Sequence, residues 1–141
     1  MPSLDSLEGL MQNELKDIYD AEKQLTRALP KLAEKAASAE LKNAFAEHLR
    51  QTEHHVERIE EMFERLGMPA RGKKCEGMQH LIAEGDEMIG EAEDDATRDA
   101  VMIASAQKVE ALRDCQLRHA SHLGEPAREA GSRSAAGRDS R

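Results

Sequence analysis

Apolar residues recur along the chain at the alternating three- and four-residue spacing of amphipathic helices. The first predicted helix begins near Ser3 or Asp5, since either side chain can cap a helix, and Pro30 bends or ends it. Its inward-facing stripe contains Leu7, Met11, Glu14, Ile18, Ala21, Leu25 and Leu29.

The second predicted helix runs from Lys35 or Ser38 to Leu66, where Gly67 and then Pro69 stop it. At 1.5 Å per residue its length approaches ~45 Å, and so long a helix needs partners along its whole length. Its stripe contains Leu41, Phe45, His48, Thr52, His55, Ile59, Met62 and Leu66. The pattern therefore predicts a helical bundle.

The remaining pattern divides the chain into two unlike parts. A short helix is predicted from Cys75 to Glu91, and a further helix begins at Asp94 or Asp95. From Ala111 onward large aliphatic residues become scarce, and the last eleven residues, GSRSAAGRDSR, have a disordered composition. The sequence thus predicts a helical domain over residues 1–110 and an atypical, partly disordered tail over residues 111–141.

Composition narrows the class of protein. The chain has 141 residues, enough for one domain, and only 2% of them are aromatic, which favours a helical bundle over a β-sandwich. A net charge of −8 argues against a nucleic-acid partner, because binding phosphates requires a basic surface. No stretch has the length of a membrane span and no signal peptide opens the chain, so we expect a cytoplasmic protein without a membrane partner.

Polar residues on the inward faces of the predicted helices are the candidates for a functional site. His48, Thr52 and His55 interrupt the apolar stripe of the second helix, Glu22 lies beside the stripe of the first, and Glu110 lies on that of the last. Inward carboxylates and imidazoles from several helices are the donors with which bundles build dinuclear metal sites. The alternative is that they are hydrogen-bonded interior residues or solvated surface residues.

Four segments together resemble the YciE/YciF family of ferritin-like bacterial stress proteins, whose biochemical function is unknown. The resemblance covers about residues 4–110. The segments are LKDIYDAEKQLTRALPKLAEKA (15–36), FAEHLRQTEHHVERIEEMFERLG (45–67), KKCEGMQHLIAEGDEMI (73–89) and RDAVMIASAQKVE (98–110).

The resemblance implies a ferritin-like four-helix bundle with a short extra helix, a homodimer, and a dinuclear iron or manganese site. Glu22, His55 and Glu110 match its metal-ligand positions, and Gln51 stands where many relatives have a Glu. The family continues with a segment like HYEIASYG and a last bundle helix, whereas this chain has ALRDCQLRH. We therefore expect the last helix to be missing or degraded, and we interpret residues 111–141 as the product of a frameshift after Glu110.

Three functions stay open at this point. The first is a ferritin-like stress-response protein without catalysis, with or without a dinuclear metal centre. The second is a di-iron or di-manganese oxidoreductase acting on peroxide or oxygen, which would need the missing HYE segment. The third is a structural or interaction bundle. No catalytic residue and no small-molecule substrate can be named from the sequence.

Overall fold

The computed structural model describes residues 4–135, and the side chains among them as far as residue 120. This part consists of α1 (Leu7–Lys35), α2 (Ala39–Arg65), α3 (Glu76–Glu91) and α4 (Asp95–Ala135), and it contains no strand. The predicted all-α class is confirmed. Across residues 4–135, none of the helices combines the length and apolar character that crossing a membrane requires.

Serine side chains cap the first two helices. Ser6 Oγ accepts a 3.0 Å hydrogen bond from the backbone N–H of Gly9, so α1 starts slightly later than the predicted Ser3 or Asp5. Ser38 caps α2, which confirms the second of the two predicted starting positions, Lys35 and Ser38. In both helices a side-chain oxygen satisfies a backbone donor that the first turn leaves without a partner.

Of the two effects predicted for Pro30, bending or ending the helix, the second is wrong, because α1 continues to Lys35. A proline inside a helix removes one backbone hydrogen bond and strains the preceding turn. Here the continuation brings Leu32 and Ala33 against the main hydrophobic cluster, and Ala36 is fully buried just beyond the helix end. Tertiary packing therefore outweighs the local cost of the proline.

Gly67 ends α2 in the left-handed conformation, with φ of +67°. The N–H of Gly67 donates to the carbonyl of Glu64, and the N–H of Met68 donates to the carbonyl of Phe63, both at 3.0 Å. This pair of bonds is a Schellman motif, and Met68 completes it by packing against the cluster that contains Phe63. The predicted end of the second helix is confirmed.

The chain after Glu110 continues α4 as an uninterrupted helix to Ala135, whereas the predicted division of the chain at residue 110 stays a prediction. Its first ten further residues include good helix formers, and among them Leu112 packs on the core while Gln116 is buried. The final part of the GSRSAAGRDSR tail, residues 136–141, lies outside the described residues. The short extra helix is α3, and within the described residues no further long helix follows α4.

The apolar core forms two clusters, and α1 contributes to both. One cluster contains Ala21, Leu25, Leu29, Ala36, Phe45, Cys75, Met78, Ile89, Met102 and Val109. The other contains Leu15, Ile18, Tyr19, Ile59 and Phe63, and in it the rings of Tyr19 and Phe63 meet edge to face with centroids 5.4 Å apart. Glu22 lies on α1 between Tyr19 of one cluster and Leu25 of the other, so the polar centre falls where the clusters meet.

An apolar groove lies between α2 and α4 on the outside of the bundle. Its walls are formed by Leu41, Ala44, Phe45 and His48 of α2 and by Ile103, Ala106, Gln107 and Glu110 of α4. Ile103 is 47% exposed there, which is high for an aliphatic residue in a bundle. The groove leaves apolar surface on these two helices without a covering helix among the described residues.

Candidate functional site

Charged and imidazole side chains from three helices meet in one cluster, in which Glu22 and Arg113 are largely buried while His55 and Glu110 are 35% and 44% exposed. They are Glu22 of α1, His55 of α2, and Glu110 and Arg113 of α4. The inward position of Glu22 follows from its place among buried α1 residues, and Glu110 and Arg113 share a face of α4 because they are three residues apart. Three separate helices therefore fix the geometry of one polar centre.

Arg113 connects the other three side chains. Its Nε donates to Glu22 Oε1, its Nη1 donates to Glu110 Oε2 at 3.2 Å, and its Nη2 contacts His55 Nδ1. The side chain of Arg113 is only 13% exposed, so the guanidinium lies within the bundle. Each of the three guanidinium nitrogens thus contacts a different side chain, one from each of the helices α1, α2 and α4.

Burial determines the charge state of this centre. Glu22 is only 2% exposed, and burial raises its pKa although the neighbouring Arg113 acts in the opposite direction. Burial and the positive charge of Arg113 lower the pKa of His55, which favours a neutral imidazole whose Nδ1 accepts from the guanidinium. Arg113 is then the permanent cation of the cluster, because a guanidinium does not lose its proton in proteins.

One oxygen of Glu22 is left without a hydrogen bond. Glu22 Oε2 is buried and lies 3.7 Å from His55 Nδ1, and it has no hydrogen-bond donor among the described residues. A buried carboxylate oxygen without a donor is costly, since nothing replaces the water it has lost. The centre therefore holds an acceptor that Arg113 does not use.

A second histidine extends the network towards the α2–α4 groove. His48 Nε2 lies 2.7 Å from Glu110 Oε1, and the hydroxyl of fully buried Thr52 donates to the backbone carbonyl of His48 at 2.8 Å. Both oxygens of Glu110 consequently have partners, one in α2 and one in α4. The interior positions predicted for His48 and Thr52 agree with these contacts.

Three of the four predicted metal-site residues come together and the fourth does not. Glu22, His55 and Glu110 surround the guanidinium, whereas Gln51 is exposed and its Nε2 donates to Glu47 Oε1 at 3.0 Å. Arg113 was missed because it lies in the segment interpreted as a frameshifted tail. The sequence signal that could have identified Arg113 is its position three residues after Glu110, which places both side chains on one face of a helix.

The residues present do not fit a dinuclear metal centre while Arg113 stands among them. The guanidinium is a donor-only cation, and it engages an atom of each of the three converging candidate ligands. A metal ion at the same place would meet like-charge repulsion and would have to compete for those atoms. Among the described side chains, no group of three His, Cys, Asp or Glu residues has the arrangement expected of a metal site.

A separate polar cluster fixes the start of α3 to α1. Asp20 Oδ2 accepts from the backbone N–H of Cys75 and from Gln24 Nε2, both at 2.7 Å, and Gln24 Nε2 also donates to the Cys75 carbonyl at 3.1 Å. Burial raises the pKa of the Cys75 thiol, which makes a reactive thiolate less available. This cluster therefore has a structural role.

The helices and the polar centre they enclose define a ferritin-like helical-bundle protein. Residues 6–131 match the family described as Domain of unknown function (DUF892). The chain belongs to this family. Protein YciF of Escherichia coli strain K12 is 41% identical over 109 residues, which make up 77% of this chain and 66% of YciF. The aligned part thus spans slightly less than two thirds of that relative.

Solved structures agree with the family assignment. The chain superimposes on "YcfI, a putative structural protein from Rhodopseudomonas palustris" with a TM-score of 0.87 and 34% identity, covering 89% of this chain and 80% of YcfI. It superimposes on the crystal structure of the E. coli stress protein YciF with a TM-score of 0.82 and 38% identity, covering 94% of this chain and 82% of YciF. The family match extends past Glu110 to residue 131, while the frameshift itself stays a prediction that genomic sequencing around codon 111 would test.

Proposed function

We propose that this chain is a non-catalytic, structural member of its family that acts in the stress response without a metal centre. The observation that supports this proposal is the largely buried Arg113, which supplies the positive charge that the buried Glu22 needs and also pairs with the partly exposed Glu110. A structural function requires a stable helical scaffold, and an internal ion-pair network provides one without a cofactor. The similarity to proteins described as a structural protein and as a stress protein is consistent with this role.

The competing function, an iron or manganese oxidoreductase acting on peroxide or oxygen, has less support. Such chemistry needs open coordination positions and ligands that are free to bind the metal. In this chain the carboxylates of Glu22 and Glu110 are engaged by Arg113, and Gln51 faces outward beside Glu47. We therefore infer a bundle whose centre stabilises the fold.

The test is the metal content and the redox activity of the full-length protein. The protein is produced in cells supplied with iron and manganese, and the bound metal is measured by inductively coupled plasma mass spectrometry. Glu22→Gln is the matched control, because it removes the most deeply buried carboxylate of the centre. We expect far less than one metal ion per chain, the same low content in the control, and no metal-dependent consumption of peroxide.

The opposite outcome is equally clear. A stoichiometric metal content that Glu22→Gln abolishes, together with metal-dependent turnover of peroxide or oxygen, would overturn the structural function. It would establish the oxidoreductase instead.

The homodimer stays a prediction, and we propose the α2–α4 groove as its interface. A second copy of the chain can cover the exposed Ile103 and the neighbouring apolar wall, as isologous dimers cover the same patch on both subunits. Ile103→Glu should then shift the protein from dimer to monomer in light scattering coupled to size-exclusion chromatography. Met88→Glu, at an apolar residue exposed elsewhere on the bundle, is the matched control, and a monomeric wild type would refute the dimer.

A further inference from the structure

We propose that the groove between α1 and α3 is a binding site for a small anion that carries a short alkyl chain. The anionic head group binds the cations along the groove, and the alkyl chain enters an apolar cavity that adjoins it. Neither space is lined by Glu22, His55, Glu110 or Arg113, so the site goes beyond the proposed function and does not depend on it.

The first support is a set of three cations without counter-charges. Arg27 and Lys31 of α1, together with Lys74 just before α3, line a groove with a volume of about 340 Å³. All three are exposed, and none of them forms an ion pair or a side-chain hydrogen bond among the described residues. The chain as a whole has a net charge of −8, so these cations form a local basic surface on an acidic protein. Such a surface attracts anions.

Two carboxylates also line the groove, and they determine where an anion can bind. Asp20 Oδ2 accepts from the backbone N–H of Cys75 and from Gln24 Nε2, both at 2.7 Å, so these donors partly offset its charge. The same bonds hold the start of α3 against α1, and the groove is therefore formed before a ligand binds. Asp86 has no donor among the described residues, and its like charge keeps an anionic head group away from it and among the cations.

The second support is an apolar cavity that adjoins the groove, since Ala28, Ile82 and Asp86 line both spaces. The cavity has a volume of about 40 Å³, and its walls include Leu25, Leu29, Leu32, Leu81, Ile89 and Val109. A water-sized group requires about 10–15 Å³, so a chain end of about three carbon atoms fits. Aliphatic walls offer water no hydrogen-bond partners, and they therefore favour an alkyl group. A ligand that uses both spaces has a charged end and a short apolar end.

The experiment measures the binding of small anions to the full-length protein by nuclear magnetic resonance titration at low salt. The probes are acetate, butyrate and hexanoate, with hexyl phosphate as a second head group and hexanol as the uncharged analogue.

Four variants are compared with the wild type. Arg27→Gln/Lys31→Gln removes two cations of the groove, and Lys16→Gln/Lys35→Gln makes the same charge change on α1 outside the groove. Asp86→Asn removes the like charge, and Ala28→Leu narrows the junction between the groove and the cavity. Far-ultraviolet circular dichroism verifies that each variant is folded.

We expect the wild type to bind hexanoate at least about tenfold more tightly than acetate, because each buried methylene group contributes about fourfold. Arg27→Gln/Lys31→Gln should weaken hexanoate binding about tenfold, whereas Lys16→Gln/Lys35→Gln should leave it unchanged. Asp86→Asn should strengthen the binding of every anion. Ala28→Leu should bind acetate as the wild type does and lose the advantage of hexanoate over acetate.

Several outcomes would overturn the inference. Equal affinity for acetate and hexanoate would exclude the cavity as the place of the alkyl chain. Hexanol binding as tightly as hexanoate, or an equal loss in the two double variants, would exclude the cations of the groove as the head-group site. The comparison of chain lengths and of hexanol uses the wild type alone, so it decides the question even if a variant does not fold.

The head group is identified by the same titrations. Tighter binding of hexyl phosphate than of hexanoate would support the site with a phosphate head group, and the reverse order would support it with a carboxylate. These results do not depend on the metal content of the protein, so the site and the structural function can fail separately.

Discussion

Removing the charge of Arg113 should destabilise the protein in a manner that depends on pH. In Arg113→Met the apolar part of the side chain is kept, but Glu22, which is 2% exposed, loses the cation that it faces. Breaking a buried ion pair by removing one partner typically costs about 3–5 kcal/mol, because an uncompensated charge stays inside. The variant should therefore be much less stable than the wild type near neutral pH.

Protonation of Glu22 limits that loss. Keeping a carboxyl with an ordinary pKa of 4.5 protonated at pH 7 costs about 3 kcal/mol, at about 1.4 kcal/mol per pH unit, so the penalty should not greatly exceed this value. Without Arg113 the pKa of Glu22 rises further, because burial is no longer opposed by a positive charge. The folded variant then binds a proton that the unfolded chain has released, and its stability falls as the pH rises above 4.5. At pH 5 the penalty should shrink to about 1 kcal/mol.

Urea unfolding followed by far-ultraviolet circular dichroism, with a chelator present, measures both effects. Arg113→Met/Glu22→Met removes both members of the pair, and it should recover much of the lost stability, as apolar replacements of buried ion pairs do. Arg50→Met is the control for a surface pair, because Arg50 and its partner Glu47 are both exposed. A loss below about 1 kcal/mol at pH 7, or a loss that does not change between pH 7 and pH 5, would refute the assignment of Arg113 as the counter-charge of Glu22.

Two further predictions concern histidine titration and helix packing. Burial and the positive charge of Arg113 lower the pKa of His55 in the folded protein. As the pH falls through the ordinary value of 6.5, the unfolded chain therefore binds a proton before the folded protein does, and the free energy of unfolding decreases. His55→Gln should flatten the fall in Tm that calorimetry records over this range, and an unchanged slope would exclude His55 as its source. In α3, Gly90→Ala should stabilise the protein by about 0.5 kcal/mol because nothing lies near a new Cβ. Gly85→Ala should give no gain, since its Cβ would lie 3.0 Å from Ser105 Oγ; equal gains in urea unfolding would refute this packing.

The helix boundaries show which structural signals are local. Ser38 and Gly67 act through hydrogen bonds within a few residues, and the sequence therefore predicts both ends of α2. Pro30 also acts locally, but its effect is outweighed by packing of the following turn against residues from other helices. The same limit applies after Glu110, where the scarcity of large apolar residues suggested a decaying helix. Good helix formers and the contacts of Leu112 were sufficient for α4 to continue.

The polar centre shows what a helical pattern cannot determine. The pattern identified Glu22, His55 and Glu110 as inward-facing, because each lies on or beside an apolar stripe. It did not identify which cation accompanies them, since a metal ion and an arginine side chain satisfy the same carboxylates. Arg113 lies 91 residues after Glu22, and only the packing of α4 against α1 brings the two together.

Because of this ambiguity, the proposed function depends on the identity of the residue at position 113. A buried carboxylate in the middle of a bundle requires a compensating positive charge, but electrostatics alone does not distinguish a tethered charge from a bound ion. A tethered guanidinium supplies the charge permanently and leaves no open coordination position, so it favours stability over chemistry. The contacts of Arg113 with Glu22, Glu110 and His55 are those of a tethered charge.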